Sequence, residues 1–155
     1  MLKPAILYTD QIKNELAKIY YTDDMFNLTG DLTNWKPDID SDCYGTCNYA
    51  IVDKDDKLIG YLSYTISATV SLVSQFGVVS FDKGNPIIGK DLFEKLEELV
   101  SNYHIVEWKM VSGNPVERAY DRFCKKHNGS KHIFRDRLRD FHGKLHDDIL
   151  YEIIS

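Results

Sequence analysis

Apolar residues recur at two spacings along this chain, and the spacings predict where its helices and strands lie. One residue in three or four is apolar in a segment that starts at Thr9 or Asp10 and in a second segment over about 89–102, which predicts two amphipathic helices. Alternation on both sides of residues 53–56 predicts a β-hairpin, and a third strand is predicted over roughly 71–79. Because short connections join these strands, we expect them to pair antiparallel.

The pattern then changes to alternating helices and strands. Residues 105–111 predict a strand that runs parallel to the preceding one, since a helix connects the two. Asn114 as a cap, Pro115 at the first helical position and Glu117 three residues after the cap are typical of a helix start, and Gly129 is typical of its end.

A last hairpin completes the predicted order of elements. Strands over about 131–139 and 145–153 follow the third helix. The order of one helix, three strands, and then helix, strand, helix and two strands predicts a single α+β (mixed α/β) domain over 1–155. We expect a central mixed, mostly antiparallel sheet that is flanked by helices.

Composition and charge narrow the class of protein. A chain of 155 residues with 43% hydrophobic side chains can bury one core but is too short for two ordinary domains. No apolar run approaches the ~18 residues that span a bilayer, and an odd number of cysteines, three, favours a reducing compartment. We therefore expect a cytoplasmic protein with no membrane partner. The net charge of −5 argues against nucleic-acid binding, and a homodimer is left open.

An irregular acidic stretch separates the first helix from the first hairpin. Residues 22–44 contain many turn residues and six aspartates against one lysine. One interpretation is a solvated loop. The other is an acidic rim that attracts an amine-bearing acceptor.

A glycine-bearing loop precedes the second helix. Residues 81–96 read FDKGNPIIGKDLFEKL, and we expect the helix to start at Gly89-Lys90 after the turn Gly84-Asn85-Pro86. Backbone N–H groups at such a helix start can bind a phosphate or pyrophosphate. The alternative is an ordinary connection between a strand and a helix.

The order of elements and this loop resemble the GNAT superfamily of acyl-CoA-dependent N-acyltransferases over about 44–153, with 1–43 as a variable N-terminal part on the acceptor side. GNAT loops typically read V-x-P-x-x-(R/Q)-x-x-G-x-(G/A). Val79 and Gly89 match the ends of this motif, whereas Gly84 stands where Arg or Gln is usual and Ile87 where Gly is usual. The resemblance implies a GNAT-like fold, acetyl-CoA as co-substrate and no metal. The residues that it places at the cofactor are Val78, Val79, Gly84, Asn85, Ile87, Ile88, Gly89 and Lys90.

A second part of the resemblance lies farther along the chain. In the family, an Asn that opens the helix after the fifth strand contacts the pantetheine arm, and a Tyr about two turns later is the general acid for the leaving thiolate. Asn114 and Tyr120 are the matching residues, although six positions separate them where many members have seven. The alternatives are that Asn114 only caps the helix and that Tyr120 is a core aromatic on the apolar stripe of Val116 and Phe123.

The general base is the part of the chemistry that the sequence leaves open. Family members often use a carboxylate on the strand before the loop, but residues 71–79 contain none; Ser74 and Gln75 are the polar interior residues there. The resemblance implies an N-acetyltransferase that acts on a primary amine of a small molecule or a protein by direct attack. The alternative is a catalytically silent GNAT-fold module that binds CoA weakly or binds a protein partner.

Overall fold

The computed structural model describes residues 1–20, 22–27, 39 and 45–155. Most of the acidic stretch lies outside these residues, including Asp31, Asp38, Asp40 and Asp42. The acidic-rim interpretation therefore stays a prediction, as does the division of the chain at residues 43 and 44.

The described residues form three α-helices and seven β-strands. The helices are α1 (Thr9–Ile19), α2 (Pro86–Asn102) and α3 (Glu117–Lys126). The strands are β1 (Leu2–Pro4), β2 (Thr46–Val52), β3 (Leu58–Ser67), β4 (Leu72–Ser80), β5 (Ile105–Val111), β6 (Ser130–Arg139) and β7 (Leu145–Ile154). Short 3₁₀ turns cover Ala5–Tyr8, Asp23–Asn27 and Ala68–Val70.

All seven strands of the described part form one sheet in the order β1-β2-β3-β4-β5-β7-β6. The β4–β5 pair is parallel and the other pairs are antiparallel, which confirms the predicted mixed, mostly antiparallel sheet. The sequence analysis missed β1, because three residues are too few to show alternation.

Helices cover the two faces of the sheet unequally. The larger core lies under α2 and α3, where Leu92, Leu96 and Tyr120 pack on the sheet. The smaller core lies under α1, where Ile12 and Leu16 pack against residues of β2, β3 and β4. Side chains of β4 alternate between these cores, and this alternation decides which of them face a ligand from each side.

The predicted start of α2 at Gly89 is wrong. The helix begins three residues earlier, at Pro86, because the Asn85 side chain accepts a hydrogen bond from the N–H of Ile87 (3.0 Å) and proline fits the first helical position. Gly89 is therefore inside the first turns of the helix rather than in the loop before it.

The predicted start of α3 is early by two residues. The Asn114 side chain accepts a hydrogen bond from the N–H of Val116 (3.1 Å), so it does cap this turn, but the α-helix proper begins at Glu117. At the other end, Asn128 adopts the left-handed conformation (φ 54°). Gly129, which the sequence predicts as the end of the helix, does not adopt this conformation. It allows close packing, since a Cβ there would lie 2.7 Å from Cys124 Sγ.

Candidate functional site

The two central parallel strands separate soon after they begin. β4 and β5 pair only at Leu72–Ile105 and Val73–Val106, although both strands continue for several residues. A bulge at Gln75, whose φ is 56°, also shifts the register of β4 against β3. The result is a gap between the carboxyl ends of the two strands.

A cavity of about 600 Å³ lies at the carboxyl end of β4, beside α1, the first turns of α2 and the turn that follows β5. Val78, which belongs to the core under α2, and Val79, which belongs to the core under α1, both line it, so the cavity reaches both faces of the sheet. Seven of the predicted site residues come together in its wall: Val78, Val79, Gly84, Asn85, Ile88, Gly89 and Asn114.

Three predicted site residues do not line this cavity. Ile87 is half-buried and packs against the larger core, and Lys90 is exposed, with its Nζ 3.9 Å from the Glu94 carboxylate. Tyr120 is 0% exposed and its ring lies 5.5 Å from that of Trp108. Val116, one helical turn before Tyr120, does line the cavity, so the tyrosine lies one turn behind the wall.

Hydrogen bonds within the turn already use much of the donor capacity at the start of α2. Pro86 has no N–H, the N–H of Ile87 donates to the Asn85 side chain, and the N–H of Ile88 donates to the Asn85 carbonyl at 3.3 Å. The Asn85 side-chain amide in turn donates to the Asp82 carboxylate (2.9 Å). An anion that binds through these N–H groups has to compete with Asn85.

Two lysines that the motif comparison did not predict lie in the cavity wall, each paired with a carboxylate of the same wall, Lys18 with Glu15 at 2.8 Å and Lys83 with Asp24. Lys18 of α1 and Lys83 of the β4–α2 loop both line the cavity. Lys83 Nζ lies 3.0 Å from the Asp24 carboxylate, so an ion pair bridges the loop and the 3₁₀ turn at the cavity. A signal for Lys83 existed in the sequence, since it immediately precedes Gly84, the position where the family has a cation or Gln.

Gly89 leaves open space on the cavity side of α2. Apart from its chain neighbours and the backbone of the helix itself, a Cβ built on Gly89 would have no heavy atom within 4 Å, and the residue lines the cavity. A ligand can therefore approach the helix backbone closely here. The position fits a bulky anionic group against the first turns of the helix.

Within the ranges that the structure describes, no group of three His, Cys, Asp or Glu side chains is arranged to hold a metal ion. Of the described helices, none combines the length and the apolar character that crossing a membrane requires.

Comparison with known proteins finds solved structures that are similar to this one. No protein-family model matches the sequence, and no curated protein matches it. A GCN5-related N-acetyltransferase from Kribbella flavida superposes with a TM-score of 0.68 at 11% identity over 100% of this chain and 97% of that chain. The ribosomal-protein-S18-alanine N-acetyltransferase from Escherichia coli gives 0.57 at 14% identity, over 72% and 70%.

A spermidine/spermine N-acetyltransferase from Vibrio cholerae gives a TM-score of 0.54 at 14% identity, over 71% of this chain and 65% of that chain. Identities this low establish the fold alone. The chain has the fold of the GCN5-related N-acetyltransferases, and the resemblance seen in the sequence is confirmed at that level.

Proposed function

We propose that this protein is an N-acetyltransferase that transfers the acetyl group of acetyl-CoA to a primary amine. The observation that carries the proposal is the cavity at the carboxyl end of β4, between the first turns of α2 and the turn that follows β5, in a sheet with the GNAT fold. A thioester bound from the α2 face would meet an amine that arrives from the α1 face.

The cofactor end of the proposed site combines a helix start with positive charge. The N-terminal end of α2 carries a partial positive charge, and Lys83 of the preceding loop lies at the same end of the cavity wall. In this proposal the pyrophosphate lies against Gly84, Asn85 and Gly89, and it takes Lys83 from its ion pair with Asp24. Lys90 contributes charge from the exposed side of the helix.

The acyl end of the proposed site involves Val78, Val79 and Asn114, with Tyr120 behind the wall. The neutral amine nitrogen attacks the thioester carbonyl carbon, the C–S bond breaks, the thiolate takes one proton and the new amide nitrogen releases one to water. We propose that the Tyr120 hydroxyl group supplies that proton as general acid. No covalent enzyme intermediate is needed. The acetyltransferases of similar fold that act on spermidine and on a ribosomal protein support an amine acceptor.

The test combines binding with turnover. We expect calorimetric titration to detect acetyl-CoA binding, and a thiol-release assay over a panel of primary amines to detect transfer. Gly89→Val should abolish acetyl-CoA binding by filling the cavity side of α2 while it leaves the fold intact, because the added side chain meets open space. Ser101→Val, in the last turn of the same helix and exposed, is the matched control.

The binding result tests the role of the loop before α2, and the thiol-release result tests whether the protein is catalytic. Equal acetyl-CoA affinity in Gly89→Val and in the parent protein would mean that the loop and helix start form only a connection. Acetyl-CoA binding without thiol release for any amine would instead indicate the catalytically silent module.

A further inference from the structure

An ion pair joins two segments in the wall of the cavity of about 600 Å³. Lys83 Nζ lies 3.0 Å from Asp24 Oδ1, and both residues line this cavity. Lys83 belongs to the loop that leads into α2, whereas Asp24 belongs to the 3₁₀ turn Asp23–Asn27. The pair therefore joins the segment where the proposed function places the pyrophosphate to the segment that follows α1.

Asp24 belongs to the α1 side of the cavity. The 3₁₀ turn follows α1 closely, and the N–H of Thr22 donates to the carbonyl of Ile19, the last residue of that helix, at 3.1 Å. Ile19 also lines the cavity. Because the proposed function brings the amine from the α1 face, Asp24 is a carboxylate at the acceptor end and Lys83 is a cation at the cofactor end.

The ion pair is exposed enough to exchange partners. The Lys83 and Asp24 side chains are 76% and 50% exposed. An ion pair with this much contact with water changes an equilibrium by no more than about fivefold. A pyrophosphate is doubly negative and also meets the N–H groups at the start of a helix, so it can take Lys83 from Asp24.

Charges in the described part of the cavity wall are balanced before a ligand binds. The charged side chains there are two lysines and two carboxylates, which form the pairs Lys83–Asp24 and Lys18–Glu15. Cofactor binding changes this balance, because the pyrophosphate neutralises Lys83. The Asp24 carboxylate then faces the cavity without its counter-ion.

A second contact keeps the 3₁₀ turn in place when the first one opens. The Asp23 carboxylate lies 3.0 Å from Nε2 of His142, in the turn between β6 and β7. Both residues line a smaller cavity, of about 370 Å³, and not the larger one. Adjacent aspartates of one turn thus contact two different loops. The loss of Lys83 releases one of these contacts, and Asp24 stays in the wall of the larger cavity.

We propose that acetyl-CoA binding exposes a site for a second positive charge of the acceptor, and that this site is the Asp24 carboxylate. The inference rests on the proposed function. The pyrophosphate takes Lys83, and an ammonium group of the acceptor takes the place of Lys83 beside Asp24. The acceptor class is an alkyl diamine: one nitrogen, in its neutral form, attacks the thioester, and the other stays protonated at Asp24.

This exchange couples the binding of the two substrates. Whichever ligand binds first has to separate Lys83 from Asp24, and the second ligand finds its own partner already released. Each ligand therefore raises the affinity for the other, and the factor is the same in both directions. The exposed ion pair sets this factor at up to about fivefold. A monoamine that presents its nitrogen to the thioester has no second charge for Asp24, so we expect no such coupling for it.

Glu15 is the rival carboxylate. It also lines the larger cavity, but its partner Lys18 lies on the same helix, α1, at 2.8 Å. The proposed pyrophosphate position involves Lys83 and not Lys18, so cofactor binding leaves the Glu15 pair closed. The geometry favours Asp24, and Glu15→Gln belongs in the test.

The decisive experiment compares 1,4-diaminobutane with n-pentylamine, a chain of the same length that lacks the second ammonium group. Calorimetric titration measures the affinity for CoA, which carries no acetyl group to transfer, with and without each amine. In the parent protein we expect the diamine to raise CoA affinity by about three- to fivefold and the monoamine to leave it unchanged. Shorter and longer diamines, each with its matched alkylamine, extend the comparison to other separations of the two charges.

Asp24→Asn distinguishes this site from a merely structural contact. CoA should bind this variant up to about fivefold more tightly than it binds the parent protein, because Lys83 has no ion pair to leave, and the diamine should no longer change that affinity. With acetyl-CoA, KM for the diamine should rise about fivefold, toward the value for the alkylamine, while kcat and Tm change little.

Asp23→Asn, at the neighbouring position of the same turn, is the matched control. An amide oxygen there can still accept a hydrogen bond from His142, so the turn stays in place and the coupling should keep its parent value. Weaker CoA binding in Asp24→Asn, coupling that persists in that variant, or coupling that disappears in Glu15→Gln instead would overturn the inference.

The failure of this inference differs from the failure of the proposed function. If the parent protein binds CoA and releases thiol with amines, but no diamine changes its CoA affinity, only the inference falls. If CoA binding is coupled to the diamine and no amine gives thiol release, the Asp24 site stands and the proposed catalysis falls. If CoA does not bind, both fall together.

Discussion

Asn85 is the residue at which helix stability and ligand binding compete. Its side chain satisfies the N–H of Ile87, and it sits in the wall of the larger cavity. A helix start with Asn as cap is well satisfied without any ligand. The N–H of Ile87 can donate a hydrogen bond to a bound anion only when the Asn85 side chain moves aside.

We expect Asn85→Gly to tighten acetyl-CoA binding by about tenfold. A hydrogen bond to a charged group contributes about 1.5–3 kcal/mol, and glycine at the cap position costs the helix only a few tenths of a kcal/mol. Calorimetric titration measures the affinity, and Asn102→Ala at the other end of α2 is the control. Weaker or unchanged binding would mean that the N–H of Ile87 does not meet the ligand.

Tyr120 is either the general acid or only a core residue, and one substitution distinguishes these two roles. If its hydroxyl group is the general acid, Tyr120→Phe lowers kcat by about 10²-fold with little change in acetyl-CoA affinity and in Tm. If the residue only packs in the core, the loss appears in Tm instead. Tyr151→Phe is the matched control, since this neighbouring ring lies 5.6 Å from Tyr120 and its hydroxyl group donates to Asp121.

At the scale of elements, the separation of β4 from β5 creates the site. The bulge at Gln75 places a non-glycine residue in the left-handed region, and the Gln75 side chain accepts a hydrogen bond from Thr65 (3.0 Å). The chain thus accepts local backbone strain at the point where β4 leaves its neighbour.

We expect Gln75→Val to lower the free energy of unfolding by about 1–2 kcal/mol, because a β-branched residue is strongly disfavoured in the left-handed region. Gln75→Asn should lose less, since Asn tolerates this conformation. Denaturant titration compares the two variants. Equal destabilisation would assign the effect to the lost Thr65 hydrogen bond.

At the scale of the whole molecule, carboxylates with lowered pKa values hold elements and turns together. Lys3 and Tyr8 lower the pKa of Asp56, Lys126 and His127 lower that of Glu97, and the hydrogen bond with His146 lowers that of Asp140. The Asp56 and Glu97 pairs join elements far apart in the chain, so their protonation weakens tertiary contacts, whereas the Asp140 pair lies within the β6–β7 hairpin.

We therefore expect the protein to lose stability in acid. A carboxyl group whose pKa is lower in the folded state adds stability above its unfolded pKa of about 4, and this stability disappears as the pH falls through the folded value. Glu107, whose pKa is raised, acts in the opposite sense and offsets part of the loss. Tm measured between pH 7 and pH 3 should fall most below pH 4, and less steeply in Asp56→Asn. A Tm that rises toward pH 3 would contradict this.

The sequence by itself determined the order of the main elements, because each amphipathic helix and each hairpin carries its own local periodicity. It also indicated the parallel β4–β5 pair through the length of the connection. Seven of the residues that line the larger cavity came from the resemblance to the GNAT superfamily, which the loop before α2 and Asn114 carry.

Only the tertiary structure decided how these parts meet. The start of α2 depends on the hydrogen bond that the Asn85 side chain accepts from the N–H of Ile87. The distance of Tyr120 from the cavity depends on how α3 packs against the sheet. Lys83 and Asp24 come from segments 59 residues apart, and the His142–Asp23 pair joins the β6–β7 turn to the 3₁₀ turn across 119 residues. Side chains that meet across a sheet leave no periodic signal, because the packing of the strands and turns brings them together and the local chain does not.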